Sequence, residues 1–264
     1  MPRFAANLST MFTELPFPER FRAAADAGFE GVEILRPYTE PAAEIRAWLE
    51  AAGLQQVLIN LPPGDWDAGE RGIAALPGRE GEFRDSVVQA LEYAQVLGCP
   101  RLHMMAGVVP SGANEAECAE VYIRNLMYAA DQAARLDRSI LIEPINPVDI
   151  PGYFLNTQAR ARHFVAAAAA DNVRVQLDFY HCQIVEGDLT RTLERQFPLL
   201  GHVQIAGVPD RHEPDVGEIN YPWLFRRLDD LGYTGWVGCE YKPAGDTLAG
   251  LAWGRPWGIG PAGG

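Results

Sequence analysis

Long apolar runs are missing from this chain. None reaches the roughly 20 residues that a bilayer-spanning helix needs, so a helical membrane protein is not expected. The start, Met1-Pro2-Arg3-Phe4-Ala5-Ala6-Asn7, carries no apolar core of a secretory leader. Cysteine is scarce: Cys99, Cys118, Cys182 and Cys239 form no CxxC pair and stand far apart in sequence, which argues against a disulfide framework. Free buried thiols in a reducing cytoplasm are expected instead. Positive charge is short as well. Lys and Arg total 22 against 35 Asp and Glu, a net charge of −13. That balance argues against a nucleic-acid partner and against an anionic membrane surface. Five scattered histidines are too few for a histidine-rich nuclease centre. There is no Gly-rich phosphate loop after the first strand-like segment and no linker-like break in composition.

What is present is a regular alternation. Hydrophobic residues make up 48%, enough for a sizeable core. Strand-like segments are read at residues 3–8, 31–35, 54–61, 101–106, 139–145, 173–179, 202–206 and 236–241. Helical segments are read at 18–27, 41–52, 80–97, 115–134, 157–170, 189–197, 222–231 and 247–253. Val87, Leu91, Ala94 and Leu97 keep helical spacing, and Gly28, Gly53 and Gly98 stand where helices should stop. Eight strand–helix units predict an α/β fold, a single-domain (β/α)8 TIM barrel over residues 1–264. A doubly wound open sheet is the alternative. The Gly/Pro-rich stretch 254–264 reads as a frayed tail. Two connections are longer than the fold requires, 62–79 and 207–220. Both fall on the side where barrels carry their active sites.

Four apolar runs in the second half each end in or contain one polar group able to bind a metal. They carry Glu143, Asp178, Gln204 and Glu240, separated by 35, 26 and 36 residues, about one strand–helix repeat each. A carboxylate in a buried strand is costly unless it is paired, hydrogen-bonded or bound to a cation. Consecutive parallel strands would bring all four to one barrel mouth. Three carboxylates and an amide oxygen suit Mg²⁺ or Mn²⁺. Such a cation can hold a carbonyl and a neighbouring hydroxyl, acidify the C–H between them and stabilise an enediolate. Glu143 and Glu240 are then the paired proton donor and acceptor, which is chemistry for an aldose–ketose type isomerisation or an epimerisation.

His181, just after Asp178, and Arg71, Arg211 and Lys242, on loops or strand ends, are the candidate substrate contacts. A small anionic substrate needs such cations in an acidic protein. His103 and His163 read as structural, and His202 as lying at the barrel bottom. A non-catalytic sugar- or acid-binding protein is the competing reading, disfavoured because binding needs no second proton carrier. A homo-oligomer stays open.

Several stretches together resemble the hydroxypyruvate isomerase family. These are Ile142-Glu143-Pro144-Ile145-Asn146, Gln176-Leu177-Asp178-Phe179-Tyr180-His181, His202-Val203-Gln204-Ile205-Ala206 and Gly238-Cys239-Glu240-Tyr241-Lys242-Pro243. Arg211-His212-Glu213-Pro214 with Gly217-Glu218-Ile219-Asn220-Tyr221 adds to them, and the likeness runs from Pro2 to about Trp253. The resemblance implies a xylose isomerase-like barrel with Glu143 and Glu240 as proton carriers and a metal at the four strand ends. Most related sugar isomerases and epimerases have His where this chain has Gln204. The implied reaction interconverts hydroxypyruvate and 2-hydroxy-3-oxopropanoate (tartronate semialdehyde), a step of glyoxylate and carbohydrate metabolism. The alternative is isomerisation of a 2-oxo-tetronate. Asn60-Leu61-Pro62-Pro63-Gly64-Asp65-Trp66 looks like the first branch, Met105-Ala106-Gly107-Val108-Val109-Pro110 like the second. A sugar epimerase is the remoter reading.

Overall fold

A computed structural model of the chain describes residues 2–260. Eight parallel strands close into a barrel in sequence order: β1 Arg3–Asn7, β2 Gly31–Ile34, β3 Gln55–Asn60, β4 Arg101–His103, β5 Ser139–Ile142, β6 Val173–Asp178, β7 Leu200–Ile205 and β8 Trp236–Cys239. The ring is sealed by β1 against β8, with Phe4 opposite Val237. Helices wrap the outside: α1 Phe17–Asp26, α2 Ala42–Ala52, α3 Glu80–Leu97, α4 Glu115–Ala134, α5 Gln158–Ala168, α6 Phe179–Val185, α7 Leu189–Gln196, α8 Tyr221–Asp230 and α9 Thr247–Gly250. The expected barrel is therefore the observed one, and the open sheet is excluded.

The strands are buried on both faces, which is why they read as apolar runs rather than as alternating patterns. Their outer side chains meet the apolar stripes of the helices in one core, to which Phe83, Val87, Ala90, Leu91 and Ala94 of α3 belong. Gly53 and Gly98 end α2 and α3 at φ 69° and 67°, in the left-handed region that glycine enters freely. The inner side chains are unusually polar: Asn7, Glu33, His103, Gln176, Asp178, His202 and Gln204 are all buried.

Several boundaries differ from expectation. β4 and β5 end at His103 and Ile142, because the chain beyond them leaves the ladder to line the mouth. Residues 179–185, expected as the end of a strand and a loop, form α6, capped by the Asp178 side chain. The expected frayed tail is docked as far as Gly260. Leu251–Trp257 forms a 3-10 helix, and Ile259 is buried. The Gly260 N–H donates to the Ala27 carbonyl at 2.8 Å. Trp253 and Trp257 meet the Phe4 ring edge-on, which is the apolar contact that holds the tail. Residues 261–264 of the expected tail lie outside the described residues. No helix among the described residues is long and apolar enough to cross a membrane.

Candidate active site

The C-terminal ends of the strands open into a cavity of about 890 Å³ lined by Glu143, His181, Arg211, Glu240, Trp66 and Arg71 among others. Glu143 follows β5 and Glu240 follows β8 by one residue, so both stand on the rim of the barrel. Asp178 ends β6, beside Gln204 of β7, and Gln204 in turn lies beside Gly238 of β8. The register thus brings all four expected residues to one end, as strand spacing requires.

Their partners differ. Asp178 divides its carboxylate. Oδ1 accepts the Tyr180 N–H at 2.7 Å and caps α6, while the buried Oδ2 has no hydrogen-bond partner among the described residues. Glu143 Oε1 is likewise buried without one. These two groups and a ring nitrogen of His181 lie within 4.8 Å of one another. Paired, unsatisfied carboxylate oxygens fit a hard divalent cation, so Glu143 and Asp178 fit a metal. Glu240, expected as a further ligand, is not among the groups that converge there, its Oε1 lying 2.7 Å from Arg211.

Gln204 does not face that centre with its oxygen. Its Oε1 accepts from Gln176 Nε2 at 2.6 Å. Its Nε2 donates to Glu240 Oε2 at 2.6 Å and to Glu33 Oε2 at 2.9 Å. The expected fourth ligand is here a bridge between carboxylates. With both N–H groups committed to two carboxyl groups, its carbonyl points away from them.

Burial sets the protonation of the cluster. It pushes Glu143 well above the usual carboxylate range, helped by Glu240 and Asp178. It pushes Glu240 up to about 8, against the opposing pull of Arg211, and Asp178 to about 6. His103 is driven down to about 3 by burial and by His202. His181 is held well below its usual value by burial, then by Arg211 and His103, so it is neutral. Asn146 Nδ2 lies 2.6 Å from His181 Nδ1. An amide nitrogen only donates, so Nδ1 accepts and the ring proton sits on Nε2, which lies 3.7 Å from Asp178 and 3.9 Å from Glu143. In that tautomer His181 is a hydrogen-bond donor to the site.

The expected cationic contacts separate into three situations. Arg211 Nη2 lies 2.7 Å from Glu240 Oε1 and 3.7 Å from Asp178 Oδ2, and Nη1 lies 3.3 Å from Asp149. Burial penalises this guanidinium, but the surrounding carboxylates outweigh it and hold its pKa above the usual value. Arg71 lies 3.7 Å over the Trp66 ring and donates to the backbone carbonyls of Trp66 and Glu70. Lys242 is exposed on the rim.

Sequence reasoning missed Glu33, Asn7, Gln176 and Arg36. Glu33 carried the same signal as Asp178, a carboxylate inside an apolar strand, but in the first half of the chain. Arg36, after β2, also lies against Trp66, 4.3 Å from its ring centre. His202, expected at the barrel bottom, lies within β7 and is buried inside the barrel against Glu33, with Nε2 2.5 Å from Oε1.

A family profile described as xylose isomerase-like TIM barrel matches residues 21–257. A 2-oxo-tetronate isomerase of Cupriavidus necator is 56% identical, over 97% of this chain and 99% of its own. The hydroxypyruvate isomerase of Escherichia coli is 45% identical, over 97% of this chain and 100% of its own. A crystal structure described as an AP endonuclease of family 2 from Brucella melitensis superposes with a TM-score of 0.96 at 56% identity, covering 97% of this chain and 99% of that one.

Proposed function

This chain belongs to the xylose isomerase-like TIM-barrel family, and we propose that it isomerises a small 2-oxo hydroxyacid. The observation that carries this reading is the pair Glu143 and Glu240. Two glutamates from β5 and β8 face one cavity, each with its protonation shifted toward neutrality by burial. A group that must take a proton at one moment and give it at the next works best in that range.

For hydroxypyruvate the balance is simple. One glutamate removes a proton from the hydroxymethyl carbon, giving the enediolate. The other delivers a proton to the former carbonyl carbon. The hydroxymethyl oxygen loses its proton as it becomes the aldehyde oxygen, and the former carbonyl oxygen gains one. Glu143 and Asp178 would hold Mg²⁺ or Mn²⁺. When bound, that ion supplies charge stabilisation for the two enediolate oxygens. His181 Nε2–H is placed to donate to a substrate oxygen near Glu143. The substrate carboxylate is assigned to Arg71 and Arg36, both against Trp66 on the β2–β3 side of the cavity, opposite the acidic half. Arg36 has no hydrogen bond to another described side chain. The protein is expected to work in the cytoplasm on this small anionic substrate, with no nucleic-acid partner.

The four-carbon 2-oxo-tetronate has equal standing with hydroxypyruvate, because relatives named for each reaction match over 97% of this chain, at 56% and 45% identity. A nuclease reading finds no support in a chain of net charge −13, whatever the name of the Brucella protein. The test is turnover of both acids in D₂O, with Mg²⁺, with Mn²⁺ and in chelator, followed by proton NMR. Deuterium entering the carbon beside the carbonyl supports isomerisation. Binding of both acids without exchange or product would leave a binding protein instead.

A further inference from the structure

Below the rim, a fourth carboxylate is built into the barrel. Glu33 of β2 has no exposed surface, stands opposite Asn7 in the ladder and lies against Gly238, two residues before Glu240 on β8. Its Oε1 faces His202 Nε2 at 2.5 Å. Its Oε2 accepts from Gln204 Nε2 at 2.9 Å and from Asn7 Nδ2 at 3.3 Å. The same two amide nitrogens reach upward to Glu240 Oε2, at 2.6 Å and 3.4 Å. Two side-chain amides thus clamp the inner oxygen of Glu240 to the carboxylate below it, leaving Oε1 to face Arg211 and the cavity.

Space has been cleared for this arrangement. A Cβ placed on Gly238 would lie 2.0 Å from Glu33 Oε1, so the glycine of β8 is the room that Glu33 occupies. Its backbone is ordinary, which leaves close approach as the reason for glycine here. A buried carboxylate is not needed for stability, since apolar side chains of similar volume serve a core as well or better. The amide at 204 is also specific. Its NH₂ carries two donor hydrogens, one for each carboxyl group, whereas neutral histidine has a single ring N–H and could serve only one.

We infer that Glu33 is a positioning residue for Glu240, acting through the Gln204 and Asn7 amides to hold the Glu240 carboxylate in one orientation. The inference rests on the reading of Glu240 as a proton carrier. A misplaced proton carrier loses rate without losing substrate affinity.

The test compares Glu33→Gln, Gly238→Ala, Gln204→Met and the double variant Glu33→Gln/Gln204→Met with wild type. It reads kcat, KM, Tm and the carboxyl signal of Glu240 in protein labelled with [5-¹³C]glutamate, assigned by its loss in Glu240→Gln. Glu33→Gln and Gly238→Ala are expected to lower kcat about ten- to a hundredfold with KM within about threefold, and to move the Glu240 signal. Adding Glu33→Gln to Gln204→Met should cost less than the two single losses combined, because both act on the Gln204 bridge and only the Asn7 contact is left to lose. Unchanged kcat with an unmoved Glu240 signal would overturn the inference, as would fully additive losses. If Glu33→Gln does not fold, Gly238→Ala and Gln204→Met decide by the same readings. If wild type turns over neither acid, the isomerase reading fails. The Glu240 signal in the Glu33 variant then judges the positioning role alone.

Discussion

Arg211 Nη2 lies 2.7 Å from Glu240 Oε1, and the same nitrogen is 3.7 Å from Asp178. The guanidinium therefore stands among the carboxylates as their counter-charge. A divalent cation would compete with it for the same oxygens. Arg211→Ala should lower Tm in chelator and enlarge the gain in Tm on adding millimolar Mn²⁺, because the ion then replaces a lost charge. Melting curves at one pH, with and without Mn²⁺, check this. A smaller metal gain in the variant would place the ion elsewhere.

Glu143→Gln and Glu240→Gln keep side-chain shape and remove the base. Each should lower kcat by at least about a hundredfold with little loss of Tm, since proton transfer is lost rather than packing. A near-normal kcat in either variant, by coupled or NMR assay, would reduce that residue to a structural support.

Arg71→Ala and Arg36→Ala should raise KM for a 2-oxo acid about tenfold or more, as loss of a charge-assisted contact does. KM for the neutral analogue dihydroxyacetone should barely move. Arg211→Ala should instead reduce turnover of charged and neutral substrates alike, because it acts on Glu240. Equal losses in all three variants would mean that the Trp66 loop has only been loosened.

All four cysteines are free and buried. Burial pushes the Cys99 and Cys182 thiols up to about 12. In the unfolded chain they ionise near 9, so their contribution to stability is fully present below that pH and is lost as pH rises from about 9 toward 12. Urea midpoints between pH 8 and 11 should fall accordingly. Native protein at pH 8 should react slowly with a thiol reagent, and denatured protein should release four equivalents. Fast native labelling would contradict the packing.

Removing residues 251–264 takes away the buried Leu251, Trp253 and Ile259 and uncovers Phe4. At about 1.5–3 kcal/mol per large buried side chain, a loss on the order of 5 kcal/mol is expected. Calorimetry should show Tm falling by roughly 10 °C or more. An unchanged Tm would return the segment to the status of a loose tail.

The order of elements was legible in the sequence, because both sources of it are local. Strands buried on two faces must be apolar throughout, helices must repeat every 3.6 residues, and Gly53 and Gly98 must end them. Eight such units admit few folds other than a barrel. The placement of Glu143, Asp178 and Glu240 at one mouth followed from counting strands, since each stands at a strand's C-terminal end. Orientation was not legible. Whether the Gln204 amide turns its oxygen or its nitrogen to the centre depends on Glu33 and Gln176, which lie 171 and 28 residues away in sequence. Arg211 joins the carboxylates only because the β7–α8 loop turns back at a φ of 58° to reach them. Hydrogen-bond partners and local fields are set by which groups meet in space. The composition and spacing of this chain determined the barrel and the carboxylates of its mouth, and tertiary packing alone decided how those carboxylates are held.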